Sequence, residues 1–390
     1  MISATTTPKK EKTQQNNLNE SSHIPIAFAF DKNYCIPFAA CLQSFLECIA
    51  RTNKQVFYSL HALVVGLDED DIQKLHQIAE PFKEMATLDI RNVGPFLDTI
   101  KNPFDESFTK RFSKMVLIKY FLADLFPKYS KIIWSDVDII FCEEFSKDFL
   151  KITENDKNYL YGVFDGKQHV LEGFLFCNLA LQRKNHFIQK IQEILDTQEV
   201  TEEPQLIDWC WPHIGQLGIE YCVYSLYYTF FNQRHNASLE WLYASNIEHI
   251  QKAIKKPIII HYDADIFSAK PWDNPLSMKA NLWLNALAKT PFFTDYTQSL
   301  QQNSDFHHRI VSKNYYFNRY TTPQKFILSP FYLFFKNYFN CFKERKINIA
   351  YEFYMGIIKI PISNLLKKLK IHRVLKKILL TLKIIKPNAN

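Results

Sequence analysis

Hydrophobic residues fall along the first third of the chain in two alternating periods. Ile24-Pro25-Ile26-Ala27-Phe28-Ala29-Phe30 is a short apolar run ending at Asp31, the pattern of a buried strand. Apolar residues then return at helical spacing from Tyr34 to Ala50. Val56 to Val65 partly alternates and predicts a second strand, and Asp68 to Phe82 predicts a second helix. Strand and helix in strict succession predict a βαβα unit, hence an α/β fold with a mostly parallel sheet. Further on, Met115, Ile118, Leu122, Leu125 and Phe126 predict a helix over Phe112–Phe126, closed by Pro127. Lys131-Ile132-Ile133-Trp134, Tyr159–Phe164, Phe174–Cys177 and Pro257–Ile260 read as further strands. No internal repeat is apparent.

The pattern changes at both ends. Met1 to Ser22 is polar, rich in Thr, Lys, Gln and Asn, and has no apolar signal segment, so it predicts a disordered tail on a cytoplasmic protein. Beyond Asp273 comes an aromatic block, Phe326–Phe335 with Tyr338 and Phe339. Ile371, Val374, Leu375, Ile378, Leu379, Leu382 and Ile385 then recur at helical spacing, with Lys370, Arg373, Lys376, Lys377 and Lys383 between them. This is a basic amphipathic helix, too charged to span a bilayer, where about 20 mostly apolar residues are needed. Anionic headgroups attract such a segment by roughly 1 kcal/mol per basic residue, which predicts peripheral attachment to an anionic membrane surface. The alternative is a helix packed on the body of the protein.

Charge sharpens that picture. The chain of 390 residues carries a formal charge of +7, and from Phe353 to Asn390 there are nine Lys/Arg and no acid. The remainder is close to neutral, which argues against a nucleic-acid-binding domain. Only 8 glycines accompany 33 phenylalanines, against a glycine-rich phosphate loop and for an aromatic-rich surface. The 8 cysteines include no CxxC pair and predict buried free thiols.

Candidate chemistry collects at strand ends. Asp31, Asp136/Asp138 and His261 each follow a predicted strand, and open α/β sheets gather ligands beyond the carboxyl ends of their strands. Asp136-Val137-Asp138 offers two carboxylates for a divalent ion that neutralises a diphosphate, and His261 adds an imidazole, which favours Mn²⁺ over Mg²⁺. A solvated turn is the plain alternative for two aspartates so spaced. Aspartyl-phosphate phosphatases also place this motif after a strand, but no GDxxxD run follows here.

Three stretches, in order, resemble glycosyltransferase family 8, which includes bacterial lipopolysaccharide galactosyl- and glucosyltransferases. They are Phe28-Ala29-Phe30-Asp31-Lys32-Asn33-Tyr34; Arg111 to Lys119 with Leu125 to Asp138; and His261-Tyr262 with Lys270-Pro271-Trp272, similar to an HxxGxxKPW signature. The resemblance implies a GT-A (Rossmann-like) domain over 23–275, after a tail at 1–22 and before a basic, aromatic-rich, helical region at 276–390. It implies a retaining, Mn²⁺-dependent (or Mg²⁺-dependent) transfer of glucose or galactose from a UDP-sugar to a lipid-linked saccharide of the lipopolysaccharide type, at the inner face of the cytoplasmic membrane. Asp31 and Asn33 would contact the nucleoside and Tyr34 stack on its base. Asp136, Asp138 and His261 would hold the metal, and Lys119 and Lys270 would contact the donor. Asp165 would hold sugar hydroxyls and Gln205 would lie beneath the sugar ring. Asp31 also has a plainer reading as a helix N-cap, Tyr34 as sheet packing, His261 as a core histidine, Lys270 as a surface charge, and Gln205 as an exposed helix-start residue.

The chain departs from the family pattern in four places. Nine positions separate His261 from Lys270, longer than the signature allows. Lys119 stands where arginine is frequent, so a forked contact becomes a point charge. Leu171-Glu172-Gly173 replaces Asn-x-Gly, and Pro204-Gln205-Leu206 replaces Asp-Gln-Asp. The last change keeps open a non-catalytic relative that binds nucleotide-sugar or saccharide, with a metal-dependent phosphatase as the further alternative.

Overall fold

The computed structural model describes residues 23–302, except 53–55, 102–112, 154, 167–168, 199, 201–202, 229–239, 241–242, 244, 263–269, 274 and 276. The strands are β1 (His23–Asp31), β2 (Phe57–Val65), β3 (Ala86–Asn92), β4 (Ile132–Ser135), β5 (Ile139–Phe141), β6 (Leu160–Phe164), β7 (Val170–Cys177), β8 (Ile214–Gln216), β9 (Val223–Tyr224) and β10 (Ile259–His261). Seven form one sheet in the order β3-β2-β1-β4-β7-β6-β8. β1 pairs in parallel with both β2 and β4, and β2 with β3. β7 runs antiparallel to β4 and to β6, and β6 pairs in parallel with β8. A second sheet, in the order β5-β10-β9, sits beside it.

The predicted βαβα opening is present. Helix α1 (Cys35–Thr52) follows β1 and buries thirteen of its eighteen residues, because apolar side chains occupy more than one stripe. Helix α2 (Glu69–Ala79) starts at a reciprocal cap: Asp68 Oδ1 accepts from Asp71 N at 3.0 Å, and Asp71 Oδ2 accepts from Asp68 N at 3.2 Å. Two apolar cores cover the sheet's faces. One gathers Phe28, Phe30, Phe38, Phe45, Phe174 and Phe176, and the other Trp134, Tyr120, Phe121, Leu175 and Ile191. Among the described residues Phe293 is the exposed large hydrophobic, so the phenylalanines there build core rather than surface. The seven described cysteines are free, six of them buried, and burial pushes the thiols of Cys35, Cys177 and Cys210 up to about 12.

One predicted element differs. In place of an α-helix up to Phe126, Lys114–Phe121 winds as a 3₁₀ helix and Leu122–Leu125 as one short α-turn. Met115, Leu117, Ile118, Lys119, Tyr120 and Phe121 are all buried. With almost every side chain inside, packing sets the winding rather than an amphipathic stripe. No helix among the described residues is long and apolar enough to cross a membrane. The predicted aromatic block and basic amphipathic helix, like the predicted N-terminal tail, lie outside the described residues.

Candidate metal and donor site

The carboxyl end of β4 carries Asp136-Val137-Asp138, and the chain between the two aspartates is pinned by main-chain bonds. Asp136 N donates to Gly173 O of β7 at 2.8 Å, and Tyr262 N donates to Asp138 O at 2.9 Å. β5 starts at the next residue, and its Ile139 pairs with His261 of β10. Two sheets therefore meet at this rim and bring His261 to the aspartates.

The side chains converge. His261 Nε2 lies 3.0 Å from Asp138 Oδ1 and 3.9 Å from Asp136 Oδ2. One ligand atom from each of Asp136, Asp138 and His261 falls within 4.8 Å of the others. Two carboxylates and an imidazole at this spacing fit a divalent cation. The surroundings fit as well. The Nδ1 of His261 is buried without a hydrogen-bond partner among the described residues. A Cβ on Gly173 would stand 2.6 Å from His261 Cε1, so only glycine leaves the ring its place. Tyr224 stacks on the same ring at 5.1 Å and 24°. The Trp134 indole N–H donates to Asp136 Oδ1 at 3.1 Å and orients that carboxylate.

Lys270 is drawn into the cluster, its ammonium paired with Asp138 Oδ2. The ammonium also faces the rings of Tyr34 at 5.6 Å and Trp272 at 5.4 Å, and those two rings meet edge to face. Charge is strongly coupled here. Burial alone would raise the Asp138 carboxyl, but His261 and Lys270 hold it well below the usual range. Burial alone would lower His261, but Asp138 holds it well above its ordinary value.

Of the other candidate residues, Asp31 ends and Asp165 follows a strand of the same sheet. Asp31 ends β1 and caps the following turn, its Oδ1 accepting from Asn33 N at 3.0 Å, while Asn33 itself is exposed. Asp165 follows β6, and its Oδ1 accepts from His169 N at 3.1 Å. Gln205 is exposed in a 3₁₀ turn at Glu203–Leu206. Lys119 points into the protein, where its Nζ pairs with Glu172 Oε2 at 2.9 Å, both side chains being less than a tenth exposed. The Tyr120 hydroxyl donates to the same oxygen. Replacing Glu172 by alanine removes the carboxylate paired with this buried lysine, so it should destabilise the fold by about 3–5 kcal/mol. Thermal unfolding checks this, and Lys119→Met combined with Glu172→Leu should recover most of the loss.

Sequence reasoning noted Trp134, Glu172 and Gly173 without assigning them these supporting roles, and it did not single out Tyr224. For Gly173 a signal existed: a glycine inside a strand, in a chain with only 8, marks close approach of another group.

Residues 25–275, well over half of the chain, match the sequence profile of glycosyl transferase family 8. The chain belongs to that family. No curated protein sequence matches it significantly. Among solved structures it is similar to the bifunctional glycosyltransferase WbbM in its apo form, with a TM-score of 0.57 and 16 % identity over 71 % of this chain and 51 % of WbbM. It is also similar to the galactosyltransferase LgtC in complex with donor and acceptor sugar analogues, with a TM-score of 0.52 and 16 % identity over 69 % of this chain and 96 % of LgtC. The chain thus spans about half the length of WbbM. At these identities the likeness is one of fold: the seven-stranded sheet with flanking helices is the GT-A-like fold of family 8 glycosyltransferases.

Proposed function

We propose that this family 8 glycosyltransferase transfers a hexose, glucose or galactose, from a UDP-sugar to a lipid-linked saccharide of the lipopolysaccharide type, with retention at the anomeric carbon. The observation that carries the reading is the convergence of Asp136, Asp138 and His261 within 4.8 Å at the carboxyl end of β4. These three residues would hold Mn²⁺ or Mg²⁺, which supplies charge neutralisation of the leaving diphosphate. Lys270 lies beside the cluster, within reach of that diphosphate. Tyr34, edge-on to Trp272, offers a face for the uracil, with Asp31 and Asn33 at the nucleoside. Asp165 would hold the donor's sugar hydroxyls and Gln205 would support the ring from below, whereas Lys119, buried against Glu172, would act on the donor only by leaving that pair. The anomeric carbon–oxygen bond to UDP breaks as the acceptor oxygen bonds to that carbon, and the acceptor proton passes to the departing phosphate.

The test is UDP release from a panel of UDP-sugars with Mn²⁺, with and without chelator. Chelator-sensitive release from one sugar establishes the reading and names the donor. UDP binding with no release from any sugar favours the non-catalytic relative, and release of inorganic phosphate favours the phosphatase.

The basic C-terminal region completes the proposal, since it would hold the enzyme at the inner face of the cytoplasmic membrane, where the lipid-linked acceptor lies. Deleting Leu365–Asn390, which removes eight Lys/Arg and no acid, should release the protein from anionic vesicles while sparing UDP binding. Co-sedimentation with phosphatidylglycerol vesicles checks it, and undiminished binding by the truncated protein would count against a membrane role.

A further inference from the structure

Both oxygens of Asp138 are engaged. Oδ1 faces His261 Nε2 at 3.0 Å, and Oδ2 holds the Lys270 ammonium. On Asp136 the indole of Trp134 holds Oδ1, and Oδ2 faces His261. A cation entering among these three residues therefore meets an ammonium already seated on one of its own ligands. The two positive charges would stand a few ångströms apart in a largely buried site, where like charges repel far more strongly than in water.

We propose that Lys270 is the resident counter-ion of the metal site: it competes with a divalent cation for Asp138 and yields that oxygen when a diphosphate arrives to receive the ammonium. This rests on the metal-dependent reading given above and deepens it. The geometry gives Lys270 somewhere to go. Its ammonium already faces two aromatic rings, Tyr34 and Trp272, and its four-carbon stem can carry the charge a few ångströms without main-chain movement. The diphosphate, bound beside the cation, offers the ammonium a new anionic partner. Cation and diphosphate then each clear the way for the other, and by linkage the coupling is mutual. Cation without nucleotide binds weakly, and donor without cation leaves Lys270 divided between two anions.

The competition predicts a gain of metal affinity on loss of a positive charge that contacts the donor. The experiment is a titration of the full chain with Mn²⁺, followed by the paramagnetic resonance of the free ion, with and without UDP. Wild type, Lys270→Met and Lys270→Arg are compared, with Lys270→Gln in reserve if the methionine variant does not fold. Lys270→Met should bind Mn²⁺ alone about tenfold tighter than wild type, and UDP should tighten its Mn²⁺ binding by a smaller factor than in wild type. Lys270→Arg keeps the charge and should stay near wild type. A merely structural role for Lys270 would weaken Mn²⁺ binding in the methionine variant or leave it unchanged, and either result overturns the proposal. If wild type and variants all fail to take up Mn²⁺ even with UDP, the metal reading itself falls and this role with it. Measurable but equal affinities overturn the counter-ion role alone.

Discussion

Asp138→Asn and Asp136→Asn should each lower UDP release by about 10²–10³-fold, yet only the first should markedly lower thermal stability. The shared effect follows from chemistry. A metal ion stabilising a departing diphosphate contributes several kcal/mol, and each 1.4 kcal/mol is tenfold in rate. Either variant removes one of the two anionic ligands. The difference follows from burial. The Asp138 side chain is 12 % exposed and lies between His261 and Lys270, whereas that of Asp136 is 32 % exposed. Neutralising Asp138 takes the anionic partner from the largely buried Lys270 ammonium, a loss of about 3–5 kcal/mol by analogy with other broken buried pairs. Asp136 can lose its charge to solvent at much smaller cost. The two measurements are UDP release under saturating Mn²⁺ and the unfolding midpoint without metal. Equal falls in midpoint for the two variants would contradict the charge arrangement described here, and undiminished release in either would remove that residue from the metal site.

Gly173→Ala should act on the site through His261. The added methyl would stand 2.6 Å from His261 Cε1, 2.8 Å from Nδ1 and 3.3 Å from Asp136 Oδ2. The ring has little freedom to retreat, with Nε2 on Asp138 and Tyr224 stacked against its plane. Either the ring turns away from the aspartates or the β7 main chain shifts, and the latter carries Asp136 with it through the Asp136 N to Gly173 O bond. Both movements spoil the ligand set, so Mn²⁺ affinity should fall about 10–100-fold, as when other supporting groups of metal sites are lost. The overpacking should also cost about 1–3 kcal/mol of stability. A double-mutant cycle isolates the cause. In a His261→Ala background the methyl has room, so Gly173→Ala should then cost little in either measurement. Additive effects of the two substitutions would show that the glycine acts through something other than the histidine.

The reach of the sequence differs from element to element for physical reasons. β1, β4 and β10 were legible because each is an apolar run that stops at a polar residue, and β2 because its residues partly alternate. Asp136, Asp138 and His261 were legible with them, since their meaning depends on position after a strand. β3 (Ala-Thr-Leu-Asp-Ile-Arg-Asn) was not, because it is an edge strand whose exposed side admits polar residues. β5, β8 and β9 have three, three and two residues, too few for any period to show. The 3₁₀ winding of Lys114–Phe121 was hidden because the same spacing of apolar residues suits an α-helix. The supporting groups of the site were hidden for another reason. Trp134 holding Asp136 and Gly173 making room for His261 are facts of proximity between strands, and residue type alone does not report them. Lys270 was placed at the donor by its motif, but its contact with Asp138 bridges 132 positions of sequence.

The backbone ladder between Asp138 and His261 bears on which sequence changes the site can take. His261 stands opposite the residue after Asp138 in the antiparallel ladder, and the residue after His261 donates to Asp138 O. The spacing of the two ligands is therefore written into peptide groups, which every amino acid supplies alike. Such a site tolerates wholesale exchange of the side chains around it, provided the strands keep their register. A one-residue slip of β10 against β5 would damage it more than dozens of scattered substitutions.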